Sequence, residues 1–259
     1  MYLSEKGCES MFNVKLNSEY IVETVGTSEG TQIKYKKGGY WYKLDNRGNE
    51  GLCEYFASKF LTFTSLSKEE YVLYEQGMIN GRPGCRSKDF IGDSSKELIT
   101  LYRLYSNETG ENLAKVVAGF DDMEDRIGYV INFVKKVCGI DYTGYLRKII
   151  TLDAIILNED RHVNNLTLLY DGKDFRPAPI FDNGCSLLTA NQSKKMNADI
   201  SDNVKRVIAK PFSGSFEKQY KYFGQGFTFD KNEVLSWLET EPKSEERDIL
   251  IYQVENCNL

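Results

Sequence analysis

The sequence is short of the residues that several common chemistries need. Of its 259 residues only one, His162, is a histidine. A histidine-rich metal site is therefore excluded, and any Ser-His-Asp hydrolase would have to use His162 as its base. No G-x-S-x-G elbow accompanies it. The six cysteines, at 8, 53, 85, 138, 185 and 257, form no C-x-x-C pair. A zinc ribbon or thioredoxin-like site is not expected, and free thiols in a reducing compartment are the simple reading. No apolar run approaches ~20 residues, and Met1 to Tyr20 mixes Glu, Lys and Asn through its apolar positions rather than building a signal-peptide core. The expectation is a cytoplasmic protein with no membrane partner. Positive charge is in deficit as well: 33 Lys and Arg against 38 Asp and Glu give a net charge of -5, which argues against direct nucleic-acid binding. The densest basic pairs, Lys194-Lys195 and Lys205-Arg206, read as solvated surface.

What is present supports one large domain or two small lobes, with 41% hydrophobic and 27% charged residues. Alternation predicts strands over Glu19 to Val25, Gln32 to Lys36 and Tyr40 to Leu44, the last two joined by a tight turn at Gly38-Gly39. Leu52, Phe56, Phe60 and Phe63 then recur at helical spacing from about Glu50, with Asn49 as the N-cap. Strands resume over Tyr71 to Ile79 and Cys85 to Ile91, broken by Gly81-Arg82-Pro83-Gly84. Helical spacing governs Lys96 to Tyr105, Glu124 to Val137 and Tyr145 to Leu157. A hairpin of Leu166 to Tyr170 and Arg176 to Phe181 turns at Asp171-Gly172-Lys173-Asp174, and more helix follows Phe229, capped by Asp230 and interrupted at Pro242. The expected fold is α+β and bilobal: a β-rich N-lobe with one helix over residues 1–92 and a mainly helical C-lobe over 93–259, the layout of a protein kinase.

The chemistry-bearing segment is Asn158-Glu159-Asp160-Arg161-His162-Val163-Asn164-Asn165, followed by Asp182-Asn183-Gly184. Phosphoryl transfer needs a phosphate cradle, cations, metal-binding oxygens and a carboxylate facing the acceptor. Asp160 and Asn165 are five apart, the spacing of a kinase base and its metal-binding amide. A hairpin centred on Gly172-Lys173 pairs positions that sum to 345. This sets Asn165 opposite Ile180 and Val163 opposite Asp182, so that Asn165 and Asp182 would share a magnesium ion. Upstream, Lys43 lies in an aromatic strand on the face of Trp41 and would bind the nucleotide's phosphates. Glu54, about 200° round the helix from Leu52, would face solvent or reach Lys43. Gly26-Thr27-Ser28-Glu29-Gly30-Thr31 lies between strands, where a phosphate loop would be. Arg161 reads either as a phosphate ligand or as a surface charge. His162 is expected beneath the site, hydrogen-bonded to backbone or to the Asp182 region.

The strings N-E-D-R-H-V-N-N and A-P-I-F-D-N-G-C-S-L-L resemble the HipA-like serine/threonine kinases, bacterial enzymes that are often toxins of toxin–antitoxin pairs. Positions 158, 160, 162 and 165 match their N-x-D-x-H-x-x-N pattern. The resemblance implies a protein Ser/Thr kinase using ATP and Mg2+, with Asp160 as catalytic base, Asn165 and Asp182 on the metal, and Lys43 and Gly26, Thr27, Ser28 and Gly30 on the nucleotide, with His162 beside them. It also implies autophosphorylation at Ser28, with Thr27 and Thr31 close by, and an antitoxin partner. The glycine segment starts after 25 residues, so a short form is expected, without the N-terminal subdomain of full-length toxin kinases, which in some systems is a separate protein. Two other readings use the same residues: a kinase of lipids or small molecules, and a nucleotide-binding regulator without catalysis.

Overall fold

The computed structural model describes residues 11–22, 32–92 and 95–256. The predicted phosphate loop, Gly26, Thr27, Ser28, Gly30 and Thr31, lies outside them. Five strands, β1 (Phe12–Val14), β2 (Lys34–Lys37), β3 (Tyr40–Leu44), β4 (Tyr74–Ile79) and β5 (Arg82–Lys88), form one sheet in the order β1-β4-β5-β3-β2. The β1–β4 pair is parallel and the others antiparallel. Helix α1 (Glu50–Leu61) packs on β4 and β5. A second sheet joins β6 (Glu97–Thr100), β7 (Thr167–Tyr170) and β8 (Phe175–Pro177) in that order. The helical portion comprises α2 (Leu101–Thr109), α3 (Leu113–Ala118), α4 (Met123–Cys138), α5 (Thr143–Ile156), α6 (Ile200–Val204), α7 (Phe216–Phe223), α8 (Lys231–Thr240) and α9 (Glu245–Asn256). The fold is thus mixed α+β. No helix among the described residues is long and apolar enough to cross a membrane.

Two glycine-containing turns behave as their residues require. Gly38 and Gly39, at φ 59° and 76°, make the two-residue turn between β2 and β3. Asn80 and Gly81, at φ 53° and 77°, do the same between β4 and β5. The predicted break over residues 81–84 is therefore shorter than expected, because strand pairing resumes at Arg82. On β3, Tyr42 and Leu44 join Leu16, Tyr35 and Ile79 in an apolar cluster on one face, while Lys43 points to the other face, where α1 lies.

Three expectations are corrected. Residues 97–100 are strand, not helix, because Leu98 and Ile99 pair with Leu169 and Leu168; the helix begins only after Thr100, whose hydroxyl accepts from Arg103 N. Ser18–Tyr20 is a 3-10 turn followed by a single bridge from Ile21 to Tyr35, and residues 23–25 lie outside the described chain. Asn49 does not cap α1 with its side chain, which donates instead to Glu246. The capping falls to carboxylates: Asp45 Oδ1 accepts from Gly51 N at 2.7 Å, and Glu50 accepts from the amides of Asn46, Arg47 and Gly48. In the tail, Asp230 caps α8 as expected, and Pro242 falls between α8 and α9.

The hub of the helical portion is α5, with ten buried residues spread round its whole circumference. Its core is continuous with α1 through Phe56 and Phe60, and Trp237 of α8 packs on Phe56 and Phe63. Helix α1 is therefore covered on two sides, and its approach to the sheet depends on two glycines. A Cβ on Gly51 would lie 2.7 Å from the Gly84 carbonyl carbon, and one on Gly84 would lie 2.3 Å from Lys43 O. Gly84→Ala should push β3 and its lysine off α1 and lower stability by about 1–3 kcal/mol, read as a fall in Tm; an unchanged Tm would disprove the close-approach requirement.

Burial pushes the Asp45 carboxyl up to about 6, from an ordinary 3.8. The folded chain holds that proton more tightly than the unfolded chain. Its stabilising contribution is therefore complete below 3.8 and lost as the pH rises through about 6. Comparing Tm for wild type and Asp45→Asn from about pH 4 to about pH 7 should show the wild type losing ground as pH rises; a constant difference would count against this assignment.

Candidate active site

Lys43 lies at the meeting point of sheet, helix and the Asp182 segment. Its Nζ is 2.6 Å from Glu54 Oε1 and 2.7 Å from Asp182 Oδ1, and the ring of Tyr74 lies 5.0 Å from it. Glu54 turns away from solvent, as one of the two sequence alternatives required, and is 1% exposed. Its second oxygen accepts from Asn183 N at 2.9 Å. Burial alone would strip the Lys43 ammonium of its proton, but Asp182 and Glu54 more than offset that and hold its pKa well above the ordinary lysine value. The two acids share the cation unequally. Lys43 holds Asp182 well below the usual carboxylate range. Burial pushes Glu54 upward, against Lys43 and the Asn183 amide. Asp182 is the firmly ionised partner.

A second lysine, Lys34, belongs to this site and was missing from the sequence-level set. It sits directly across from Lys43 in the β2–β3 ladder, so both side chains leave the same face of the sheet. Burial lowers its pKa, and Asp182 acts against that shift. The signal was present: a hairpin centred on Gly38-Gly39 sets residue 34 opposite residue 43. Two like charges directly opposed on a sheet are unfavourable unless anions answer them; here Asp182 and Glu54 do.

The Asn158–Asn165 segment hangs from the end of α5, where Leu157 turns left-handed at φ 55°. Its anchor is Arg161, which is neither a phosphate ligand nor a surface charge: it is 0% exposed. The guanidinium grips Asp153 of α5 by Nε to Oδ2 at 3.0 Å and Nη2 to Oδ1 at 3.1 Å, and also donates to Asn183 Oδ1 at 2.6 Å and Phe181 O at 3.2 Å. Asn158 completes the frame, donating to Asp153 Oδ1 and accepting from Asp160 N. Arg161 therefore holds both neighbours of Asp182 to the helix that carries Asp160. Asp153, the anion at the base of this frame, also went unrecognised in the sequence. It lies near the end of a helix among Leu152, Ala154, Ile155 and Ile156 and carries no motif.

Asp160 is half exposed, with Lys210 Nζ 3.5 Å from its Oδ1. Asn165 Nδ2 donates to Asp160 O at 2.9 Å, which orients the amide and leaves Oδ1 as its free acceptor. The predicted hairpin register is correct, since Leu168, Leu169 and Tyr170 face Pro177, Arg176 and Phe175 and each pair sums to 345. Past Pro177, however, the pairing thins to one bond, from Ala178 N to Thr167 O at 3.2 Å. Pro177 and Pro179 have no N–H to return to β7, and Ile180 donates instead to Glu70 O at 2.7 Å, bridging in parallel to Tyr71. Asp182, at φ 64°, is carried to Lys43 by this turn away from the hairpin, not by its continuation, and it shares no hydrogen bond with Asn165. The hydrogen bond expected of His162 is absent: its Nδ1 is buried without a partner, and burial lowers the ring's pKa. No three acidic, histidine or cysteine side chains converge as metal ligands among the described residues.

The sheet, the helix carrying Glu54 and the helical portion together define a protein-kinase-like fold. The crystal structure of a Helicobacter pylori proinflammatory kinase, CtkA, superposes with a TM-score of 0.62 over 95% of this chain and 93% of that one, at 17% identity. No protein-family profile matches the sequence, and no curated protein matches it.

Arg161→Leu leaves Asp153 buried without its cation and should cost about 3–5 kcal/mol, and Asp153→Leu a similar amount. The double variant should lose clearly less than the sum in denaturant unfolding. Additive losses would show that the pair is not the unit described.

Proposed function

We propose that the protein is an ATP- and Mg2+-dependent phosphotransferase of HipA-like type, built as an N-lobe and a C-lobe, that phosphorylates a protein hydroxyl. The observation that carries this reading is the Lys43 ammonium held 2.6 Å from Glu54 and 2.7 Å from Asp182, with Asp160 on a loop tied to both neighbours of Asp182 through Arg161. The strand-lysine and helix-glutamate pair, with an aspartate downstream, is the arrangement that orients a nucleotide's phosphates in kinases.

The donor chemistry fits magnesium. Asp182 is an ionised, partly exposed carboxylate, and Asn165 offers an oriented amide oxygen. One carboxylate and one amide, with water in the remaining positions, suit a hard ion that dehydrates reluctantly. Magnesium bound there would neutralise phosphate charge as the γ-phosphoryl group leaves. Lys43, released in part by Asp182 but kept by Glu54, would turn to the phosphates, with Lys34 as a second cation. Asp160 would orient the acceptor hydroxyl and take its proton. His162, whose pKa burial lowers, would pack beside the nucleotide. The match of residues 158, 160, 162 and 165 to N-x-D-x-H-x-x-N supports the HipA-like assignment. A toxin role, an antitoxin partner and Ser28 autophosphorylation belong to that assignment and carry no separate support.

With labelled ATP and a cell lysate, wild type should label protein, and Asp160→Asn and Asp182→Asn should each lose about 100-fold or more of the rate. Undiminished transfer by either variant would refute the roles, and label confined to lipids or metabolites would refute the protein acceptor.

A further inference from the structure

Next to Asp160 the surface sinks into a pocket of about 330 Å³. Three cations line it, from three separate stretches of chain: Arg47 before α1, Arg206 after α6, and Lys210 on the way to α7. The convergence was not visible in the sequence, where Lys205-Arg206 read as solvated surface. The two arginines are exposed, and neither guanidinium makes an ion pair or hydrogen bond among the described residues. Elsewhere on the surface Lys194 pairs with Glu245, Lys205 with Asp202 and Lys221 with Glu217.

Of the pocket's acids, Asp160 lies 3.5 Å from Lys210 and answers that cation, which leaves the two arginine guanidiniums without an ion pair among the described residues. Glu159 accepts from Asn191 Nδ2 at 2.5 Å, and burial raises its pKa. Asp160 is the residue proposed to face the acceptor. Three cations against these two acids give a locally positive wall on a chain whose net charge is -5. Such a reversal of sign raises the local concentration of anionic partners against the repulsion of the whole molecule.

We propose, building on the phosphotransferase reading above, that this pocket is the acceptor subsite and that Arg47, Arg206 and Lys210 select a serine or threonine flanked by acidic residues. Peptide suits the pocket better than a free anion does. The arginines are exposed rather than buried donors closing round a small ligand, and Ile208 beside them is 64% exposed, a mixed apolar and cationic wall that an extended chain can cover. Lys210, 3.5 Å from Asp160, would hold the acidic residue nearest the accepting hydroxyl, and the arginines would hold those further along. The γ-phosphoryl group passes from ATP to the hydroxyl oxygen, ADP leaves, and the hydroxyl proton goes to Asp160.

The test uses the full chain with Mg-ATP and three synthetic peptides, each with one central serine and flanked by Glu and Asp, by Ala and Gln, or by Lys and Arg. The acidic peptide should be preferred over the neutral one by about tenfold in kcat/KM, with the preference shrinking as salt is added. Arg47→Glu/Arg206→Glu should erase or invert the ratio, and Arg206→Gln should lower it partway. Both arginines are exposed, so unfolding of the variants serves only to check that the fold is intact. Equal use of the three peptides, preference for the basic one, or a ratio unmoved by the charge reversals would overturn the subsite while leaving the phosphotransferase reading intact. The same holds for label taken only by free phosphorylated metabolites or by anionic lipid vesicles. Wild type that neither binds Mg-ATP nor transfers phosphate to any peptide or to itself would overturn the phosphotransferase reading, and the subsite with it.

Discussion

One ammonium shared between two carboxylates organises this molecule. Lys43 comes from the sheet, Glu54 from α1 and Asp182 from the strand-like segment leaving the second sheet. A charge this deeply buried is tolerated only where its neighbours over-compensate its lost hydration, so three distant stretches of chain must arrive together or the lysine is left unpaired. The small residues follow from that demand. Gly51 lets α1 lie against the backbone of β5, and Gly84 lets β5 lie close to the Lys43 carbonyl of β3; with a bulkier residue at 51 the helix would stand off, and Glu54 would fall short. The unequal hold on the two acids also suits a site that must exchange partners. Asp182 is ionised and partly exposed and can take a metal, while Glu54, fully buried and bonded to Asn183 N, keeps the lysine in place.

Beneath this lies a second buried ion pair of a different kind. Arg161 and Asp153 are sealed from solvent and touch nothing that a substrate could reach. Their work is positional. By holding Phe181 O and Asn183 Oδ1, Arg161 fixes the backbone on each side of Asp182 to the end of α5. Asp160 and Asp182 lie 22 residues apart in sequence, yet they are held by the same guanidinium. The arrangement orders the proposed base and metal ligand without any direct bond between them.

Much of the frame was legible because it is local. The turns at 38–39 and 171–174, the run of α4 and α5, the Asp230 cap and the 345 register all follow from a few neighbouring residues. The misreadings have equally specific causes. Residues 97–100 carry helical spacing but lie beside β7, and pairing across chains of residues overrides a weak local period. The hairpin register was carried on to Asp182, but the two prolines leave only Ala178 N to bond back to Thr167 O, and the chain then turns away. Asp182 does meet Lys43 and Glu54, but by another path than the expected hairpin. Lys34 was overlooked although the same sum rule that located Asp182's strand also pairs it with Lys43.

The sequence by itself made most helices and the turn registers readable, because propensity, proline's missing donor and glycine's permissive φ act over a few residues. It left Arg161, Glu54 and His162 undecided, since a charged or polar side chain carries no local mark of whether it will be buried. It took the folded chain to show that Arg161 is an internal tie, that Glu54 turns inward, that His162 Nδ1 is buried without a hydrogen-bond partner and that Arg47, Arg206 and Lys210 gather beside Asp160. Burial and charge pairing are properties of segments brought together from opposite ends of the chain, and their energies exist only once those segments meet.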